Sequence, residues 1–171
     1  MQQVLINDPN AKTSKEFFAN AQNKLIYAVS ENTAAEIIMA RSDKDKLNMG
    51  LYTWNKGPNG KILATDVVIS KNYLDENELR KLQRLVDGFL TLAENRASNH
   101  KPTSMVDWMG ILDNYILLND LPLLDGKGKV SSKEAKEKAR GEFKEFRKYQ
   151  DKYYVSDFDK VVDEVKRLSS K

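Results

Sequence analysis

The stretch that decides the fold is DENELRKLQRLVDGFLTLAENRASN, which runs from Asp75 to Asn99. Its apolar side chains recur at alternating spacings of three and four residues, the period of one helix face. They are Leu79, Leu82, Val86, Phe89, Ala93 and Ala97, with Leu85 and Leu92 widening the stripe. Asp75 is placed to cap the first turn. The pattern predicts a long central core helix that ends near Asn99.

Helical patterns also lie on both sides of this stretch. They predict helices at about 14–30, at about 34–41, from Thr103 or Ser104 past Ile116, at about 132–153 and at 157–168. A Thr13–Glu16 capping box precedes the first of these helices, and a Ser156–Asp157 cap precedes the last. Residues 67–73 fit a short helix or a strand equally well. The chain is thus predicted to fold as an all-α domain of six or seven helices.

The periodicity fails between Leu47 and Ile62, where Gly50, Gly57-Pro58 and Asn59-Gly60 interrupt the pattern. Asn-Gly is a strong signal for a two-residue hairpin turn. We therefore expect at most one small β-hairpin around residues 51–63, and the alternative is an ordered loop. A length of 171 residues favours one domain over 1–171, with a lead-in at 1–12 and a core at 13–168.

Composition excludes several kinds of site. There is no cysteine and only one histidine, so disulfides, thiol catalysis and thiolate or multi-histidine metal sites are ruled out, and no cofactor is predicted. No apolar run approaches the roughly 18–20 residues of a membrane helix, and the first residues do not resemble a signal peptide. We expect a cytoplasmic protein without membrane contact.

Several segments together resemble the C-terminal part of the bacterial virulence RhuM family. They are Gln22–Leu25, Thr33–Ile38, Asn48–Leu51 with Trp54, Lys71–Leu74, Asp107-Trp108 and Ser156–Asp159. The resemblance implies association with genomic islands and mobile elements, but no established reaction or catalytic residues. Family members are usually longer and carry an N-terminal half that looks like a DNA-binding module. Nothing like that half is present here, so the resemblance implies an isolated C-terminal domain.

One polar and aromatic group of residues is concentrated in the 22–74 region. Its members are Gln22, Asn23, Glu36, Arg41, Asn48, Trp54 and Lys71. They could line a cleft where the irregular loop meets the first two helices. The interpretation that we favour is structural, in which they serve turns, surface ion pairs and the edge of the core.

A second candidate is the basic edge of the helix predicted at 132–153. Its cations follow helical spacing: Lys133, Lys136, Arg140, Lys144 and Arg147. Aligned cations can follow a phosphate backbone, although a solvated helix with internal ion pairs has the same pattern. The aromatic residues of this helix lie on its apolar face, which argues against base stacking.

No single histidine or acidic residue in the sequence indicates a catalytic site. His100 stands at the end of the central helix, where a cation complements the helix terminus, and Asp107 and Asp113 form no recognisable acid–base pair. We therefore predict a non-catalytic helical interaction or oligomerisation domain, which binds a second copy or a protein partner. The alternatives are an enzyme acting on nucleotide or nucleic acid through the 22–74 region, and direct DNA binding through the basic edge.

Overall fold

Residues 12–155 and 157–169 are described by a computed structural model, and they form six α-helices. The helices are α1 (Lys12–Ser30), α2 (Ala34–Arg41), α3 (Glu76–Ser98), α4 (Met105–Leu118), α5 (Ser132–Tyr153) and α6 (Asp157–Ser169). Two short 3-10 helices lie between α2 and α3, at Leu47–Gly50 and Ser70–Tyr73. The described residues contain no β-strand, so the predicted all-α class is confirmed.

Four helices begin at a capping box. In this motif, the N-cap side chain accepts a hydrogen bond from the backbone N–H three residues further on, and the acidic side chain of that residue accepts one from the backbone N–H of the N-cap residue. The pairs are Thr33 with Glu36, Asp75 with Glu78, Ser104 with Asp107, and Ser131 with Glu134. Each lies where the sequence predicts a helix start. The box predicted at Thr13 is wrong, because α1 already includes Lys12. The cap predicted at Ser156 lies outside the described residues.

The segment between the two 3-10 helices is an ordered loop and not a hairpin. The side-chain amide of Gln150 in α5 accepts from the N–H of Ile62 (2.8 Å) and donates to its carbonyl (3.1 Å). These are groups that a strand at 61–63 would use for pairing. The buried carboxylate of Asp66 accepts from the N–H groups of Asn55 and Leu63. Residues 67–73 are likewise neither a strand nor an α-helix, but a turn followed by the second 3-10 helix.

Buried side chains form two clusters that meet at α3. The larger cluster joins α1, α2, α5 and both 3-10 helices, and it includes Leu82 of α3. In it, Ala135 and Ala139 are fully buried, and their small size lets α5 approach α2 closely. The smaller cluster joins α1 and α4 to Leu85 of α3. Helix α1 also belongs to both clusters, through Ile26 and Ala28, and it contacts α2, α3 and α4. The prediction that α3 is the central helix of the core is therefore wrong, because much of the α3 stripe faces no other described helix.

Candidate functional site

An apolar groove runs between α1 and α3. Its volume is about 630 Å³, and its lining residues are Phe18, Ala21, Gln22, Leu25, Ile26, Lys71, Leu79, Leu82, Gln83, Val86 and Asp87. Most of these side chains are apolar, and a few polar groups stand among them. A concave, mostly apolar surface with few polar groups is typical of binding sites.

The groove follows from the helical spacing of its walls. On α3, Leu79, Leu82 and Val86 lie on one face, because they are three and four residues apart. Ile26 of α1 is buried in the core beneath the groove, whereas Phe18 of α1 leaves 57% of its surface exposed. The groove is therefore a part of the α1–α3 contact that the rest of the described chain does not cover.

Two charged residues of opposite sign line the groove. Lys71 comes from the 3-10 helix that leads directly into α3, and Asp87 lies one residue beyond Val86, near the middle of α3. Both residues are exposed. The groove therefore offers one cation and one carboxylate beside its apolar lining.

The seven residues of the polar group lie in three different places. Gln22 and Lys71 line the groove. Asn48 and Trp54 line a separate aromatic cleft. The remaining members, Asn23, Glu36 and Arg41, bond to backbone or to an ion-pair partner within the fold, so they hold the structure together.

Glu36 and Arg41 are the clearest structural residues of that group. The Glu36 carboxylate accepts from the N–H groups of Lys129 (2.7 Å) and Thr33 (2.8 Å). These hydrogen bonds, that of Lys129 first, hold the pKa of Glu36 below its ordinary value. Arg41 donates to the carboxylate of Glu78 and to the carbonyl of Tyr73.

Asn23 supports the same region from α1. Its side-chain oxygen accepts from the N–H of Ala34 at 3.3 Å. This hydrogen bond satisfies one of the free N–H groups in the first turn of α2. Asn23 therefore belongs to the packing of α1 against α2 and not to the groove.

The aromatic cleft lies where the loop before α3 meets the end of α5. Its volume is about 230 Å³, and its lining residues are Asn48, Trp54, Pro58, Gly60, Ile62, Phe146, Tyr149, Gln150, Tyr153 and Tyr154. The indole N–H of Trp54 donates to the carbonyl of Gly60 (2.7 Å), and the Gln150 amide is bonded to Ile62. These polar groups already have partners within the protein, so the cleft offers mainly ring faces.

The five cations of the basic edge differ in whether they form an ion pair. Lys133 lies 3.9 Å from Glu137, and Arg147 lies 3.2 Å from Asp151. Within residues 12–155 and 157–169, Lys136, Arg140 and Lys144 form no ion pair with another described residue. The edge thus contains three cations that form no ion pair with another described residue.

The end of α5 and the length of α6 expose apolar side chains. Tyr149 and Tyr153 contact each other with ring centroids 4.5 Å apart, yet they are 64% and 58% exposed. On α6, Val161, Val165 and Leu168 form one face and are 57%, 59% and 69% exposed. By contrast, the apolar face of α5 is buried at Ala135, Ala139 and Phe143. These three side chains of α6 are therefore largely uncovered by the described residues.

The remaining titratable candidates have structural positions. His100 is exposed and takes a positive φ of 50° directly after α3. Asp107 belongs to the capping box of α4, and Asp113 pairs with Lys24 of α1. Among the described residues, no group of three or more histidine or acidic side chains could hold a metal ion. Within the same part of the chain, no helix has the length and apolar character needed to span a bilayer.

Sequence reasoning did not find the groove. The stripes that contain Leu25, Leu79 and Val86 have the spacing of core residues, and that spacing does not tell whether a neighbour covers them. The exposure of Tyr149 was missed for the same reason. The available signal was the width of the stripes, since α3 carries more apolar residues than one neighbouring helix can cover.

Comparison with known proteins found one family. No curated protein and no solved structure matches the chain. The family model of the virulence protein RhuM family matches residues 5–154, which is most of the sequence. Since the matched part includes α1–α5, both 3-10 helices and the groove, this chain belongs to the virulence protein RhuM family.

Proposed function

We propose that this chain is a helical interaction domain that associates with a second copy of itself through the apolar face of α6. The observation that carries the proposal is the exposure of Val161, Val165 and Leu168, at 57%, 59% and 69%. They lie four and three residues apart, so they form a continuous stripe on one side of the helix. A contiguous exposed apolar stripe flanked by charged residues is typical of an interaction site.

The expected strength of association is modest. Burying a valine or leucine side chain stabilises a complex by about 1.5–3 kcal/mol when it starts fully exposed. Three partly exposed side chains from each of two copies supply roughly 6–12 kcal/mol. Loss of translational and rotational freedom costs about 4–15 kcal/mol. The most favourable combination of these values leaves about 8 kcal/mol, so we expect a dimer with a dissociation constant no lower than about 1 μM.

Sedimentation equilibrium or light scattering tests this proposal. The measured mass should rise toward twice that of one chain as the concentration increases to about 1 mM. The double variant Val161→Ser/Val165→Ser should remain a monomer there. Val106→Ser is the matched control, because Val106 is 81% exposed but lies on α4. A monomer at all concentrations, or a dimer that the double variant leaves unchanged, would overturn the proposal.

Such a dimer has a consequence for longer family members. In relatives that carry the DNA-binding-like N-terminal half, association of this domain would set two of those halves side by side. Pairing of two modules raises the effective concentration of the second at its site once the first has bound.

Direct nucleic-acid binding through the basic edge is the second candidate. It is favoured by Lys136, Arg140 and Lys144, which have no ion pair with another described residue. Cations aligned along a helix can neutralise successive phosphates, and such binding weakens steeply as salt is added.

A gel shift with duplex DNA at about 50 mM and about 200 mM salt tests this candidate. Binding should weaken at the higher salt and disappear in the triple variant Lys136→Glu/Arg140→Glu/Lys144→Glu. The control changes Lys133, Lys148 and Lys152 to glutamate, which gives the same net charge but spares the three cations. Equal binding by wild type and the triple variant would remove the candidate.

An enzymatic site in the 22–74 region has less support. Gln22 and Lys71 face the groove, but no described acidic residue of that region lines it. Glu36 and Arg41 are held by hydrogen bonds within the fold. A general acid–base reaction needs titratable groups within reach of one substrate atom, and the lining residues do not supply such a pair from this region.

A further inference from the structure

We propose that the aromatic cleft between the loop before α3 and the end of α5 binds the adenine base of a nucleotide, and that the side-chain amide of Asn48 recognises the edge of that base. The site does not depend on self-association through α6, so it goes beyond the proposed function. It is also separate from the basic edge, because Tyr149 and Tyr153 lie on a different side of α5 from Lys136 and Arg140.

The walls of the cleft present aromatic rings from two segments of the chain. Trp54 comes from the loop, and the other rings come from α5 and the residue after it: Phe146, Tyr149, Tyr153 and Tyr154. Within the described residues, the Trp54 ring makes no ring contact with any of these four, so the protein's own rings leave space between the two walls. A flat ring that enters this space can stack on aromatic faces, which is how proteins hold unstacked bases.

The size of the cleft fits one ring and not a whole ligand. Its volume of about 230 Å³ is below the roughly 300–1,000 Å³ of sites that enclose a drug-sized molecule. A bound ligand must therefore leave its other groups outside. A nucleotide divides in this way, because its base has two apolar faces while its sugar and phosphate stay in water.

Asn48 supplies a polar group that the rings alone lack. Its side-chain amide forms no hydrogen bond within the described part of the chain. By contrast, the Trp54 indole and the Gln150 amide are both bonded to backbone of the loop. An asparagine amide offers an acceptor and a donor side by side, and this pair matches the N6 amino group and N7 of adenine.

The backbone at Asn48 is held in an uncommon conformation. Asn48, Met49 and Gly50 have positive φ angles of 51°, 59° and 82° in succession. Two of the three are not glycine, and a Cβ atom disfavours this left-handed region. The Met49 side chain is fully buried, and its N–H donates to the carbonyl of Lys46 at 2.9 Å, so the turn is anchored. Residues held in this region cluster at ligand sites, and here the turn fixes Asn48 beside the cleft.

The charges next to the cleft favour an anionic ligand. The ammonium of Lys61 lies 5.0 Å from the centre of the Tyr154 ring, and that of Lys152 lies 5.2 Å from the centre of the Tyr153 ring. Lys61 pairs with Asp151, whereas Lys152 forms no ion pair with another described residue. A phosphate outside the cleft is therefore attracted by the surplus of positive charge, which would disfavour a cationic ligand.

The fluorescence of Trp54 tests this inference, because a base that stacks in the cleft quenches its emission. The full chain carries Trp108→Phe, so that Trp54 is the only tryptophan left. We expect saturable quenching by adenosine monophosphate with half-saturation below about 10 mM, and none by ribose 5-phosphate, which lacks the base. Inosine monophosphate has an acceptor in place of the N6 amino group and should bind at least about fivefold more weakly.

Three variants locate the bound base. Tyr149→Ala should weaken the binding of adenosine monophosphate by at least about fivefold. Tyr52→Ala is the matched control, because Tyr52 is 63% exposed against 64% for Tyr149 but does not line the cleft. Asn48→Gly accommodates the positive φ and removes the amide, so it should bind the adenosine and inosine nucleotides equally.

Four results would overturn the inference. They are an absence of saturable quenching by adenosine monophosphate, equal quenching by ribose 5-phosphate, equal affinity for adenosine and inosine monophosphate before Asn48 is changed, and equal weakening in Tyr149→Ala and Tyr52→Ala. Equal quenching by N-acetylphenylalanine amide would also contradict it, because the cleft would then accept an aromatic side chain of a protein. A single-stranded deoxyadenylate oligomer identifies the source of the base: tighter binding than that of the mononucleotide assigns a nucleic-acid strand, and equal or weaker binding assigns the free nucleotide.

Discussion

The guanidinium of Arg41 donates two hydrogen bonds to the carboxylate of Glu78, at 2.5 and 2.6 Å, and so ties the end of α2 to the first turn of α3. The two side chains keep only 29% and 15% of their surface exposed. Arg41 also donates to the carbonyl of Tyr73 at 2.8 Å. This two-point geometry fixes the orientation of α3 and, with it, the side of the groove that α3 supplies.

We expect Glu78→Gln to lower the free energy of unfolding by about 1–3 kcal/mol at pH 7, because it weakens a partly buried ion pair. Glu76→Gln is the matched control, since Glu76 pairs with Arg80 on the surface with 82% of its side chain exposed. That change should stay within about 0.5 kcal/mol. Denaturant unfolding of the two variants measures the difference, and equal values would contradict a stabilising role for the Arg41–Glu78 pair.

The ion pair between Arg41 and Glu78 predicts that the free energy of unfolding depends on pH. The Arg41 guanidinium holds the pKa of Glu78 below its ordinary value of 4.5. A carboxylate with a lowered folded-state pKa contributes stability that is present above about pH 4.5 and is lost as pH falls through the folded pKa. The difference in unfolding free energy between wild type and Glu78→Gln should therefore shrink below about pH 4.5. A difference that stays constant down to about pH 2 would contradict this assignment.

Gly128 and Gly126 allow a test of loop packing at equal backbone strain. Both have a positive φ, of 80° and 79°. A Cβ atom at Gly128 would lie 2.7 Å from Cγ2 of Thr33, whereas one at Gly126 would meet nothing within 4 Å. Gly126→Ala should cost about 1–2 kcal/mol from backbone strain alone. Gly128→Ala should cost about 1–3 kcal/mol more, because the loop is pressed against α2. Equal melting temperatures of the two variants would contradict that packing.

Because the phenol of Tyr73 is buried, we expect the protein to lose stability at alkaline pH. Its hydroxyl is buried and donates to the carbonyl of Val67 at 2.8 Å. Burial raises the pKa of the Tyr73 phenol well above its ordinary value of 10.0. A raised folded-state pKa contributes stability that is present below about pH 10 and is lost as pH rises, by up to about 1.4 kcal/mol per pH unit.

Tyr73→Phe should lack this alkaline slope, and it should cost about 1–3 kcal/mol at pH 7, because the Val67 carbonyl loses its partner. Tyr52→Phe serves as the control, since Tyr52 is 63% exposed. Unfolding by urea at a series of pH values makes the comparison. An alkaline slope that persists in Tyr73→Phe would assign it to another group.

Two helix glycines should respond to alanine in opposite directions. Gly141 in α5 has nothing within 4 Å of an added Cβ, so Gly141→Ala should stabilise the protein by about 0.5–1 kcal/mol. At Gly88 in α3, an added Cβ would overlap the hydroxyl of Tyr115 on α4. Gly88→Ala should therefore destabilise by about 1–3 kcal/mol. Thermal unfolding measures both, and a stabilising Gly88→Ala would show that α3 and α4 are less closely packed than described.

Local patterns predicted most of the fold because their causes are local. The capping box at Asp75 needs only Glu78 three residues away, and the helix that follows needs only its own spacing. The loop at 51–63 could not be decided in this way. There, the Asn59-Gly60 hairpin signal is overridden by Gln150, 88 residues beyond Ile62 along the chain, which takes the hydrogen bonds of Ile62.

Prediction of the site was weaker than prediction of the fold. Residues that are close in sequence, such as Gln22 and Asn23, lie on different sides of α1, so one lines the groove and the other supports α2. The polar group seen in the sequence is therefore divided among a groove, a cleft and structural hydrogen bonds.

The sequence by itself determined most of the helices, four of their caps and the family, because periodicity, capping and motif order are properties of neighbouring residues. Only the tertiary structure decided which apolar faces are covered. Phe143 of α5 is buried and Val165 of α6 is exposed, although both belong to apolar stripes with helical spacing. Burial depends on what another helix places opposite, and that information is not contained in the spacing of either stripe.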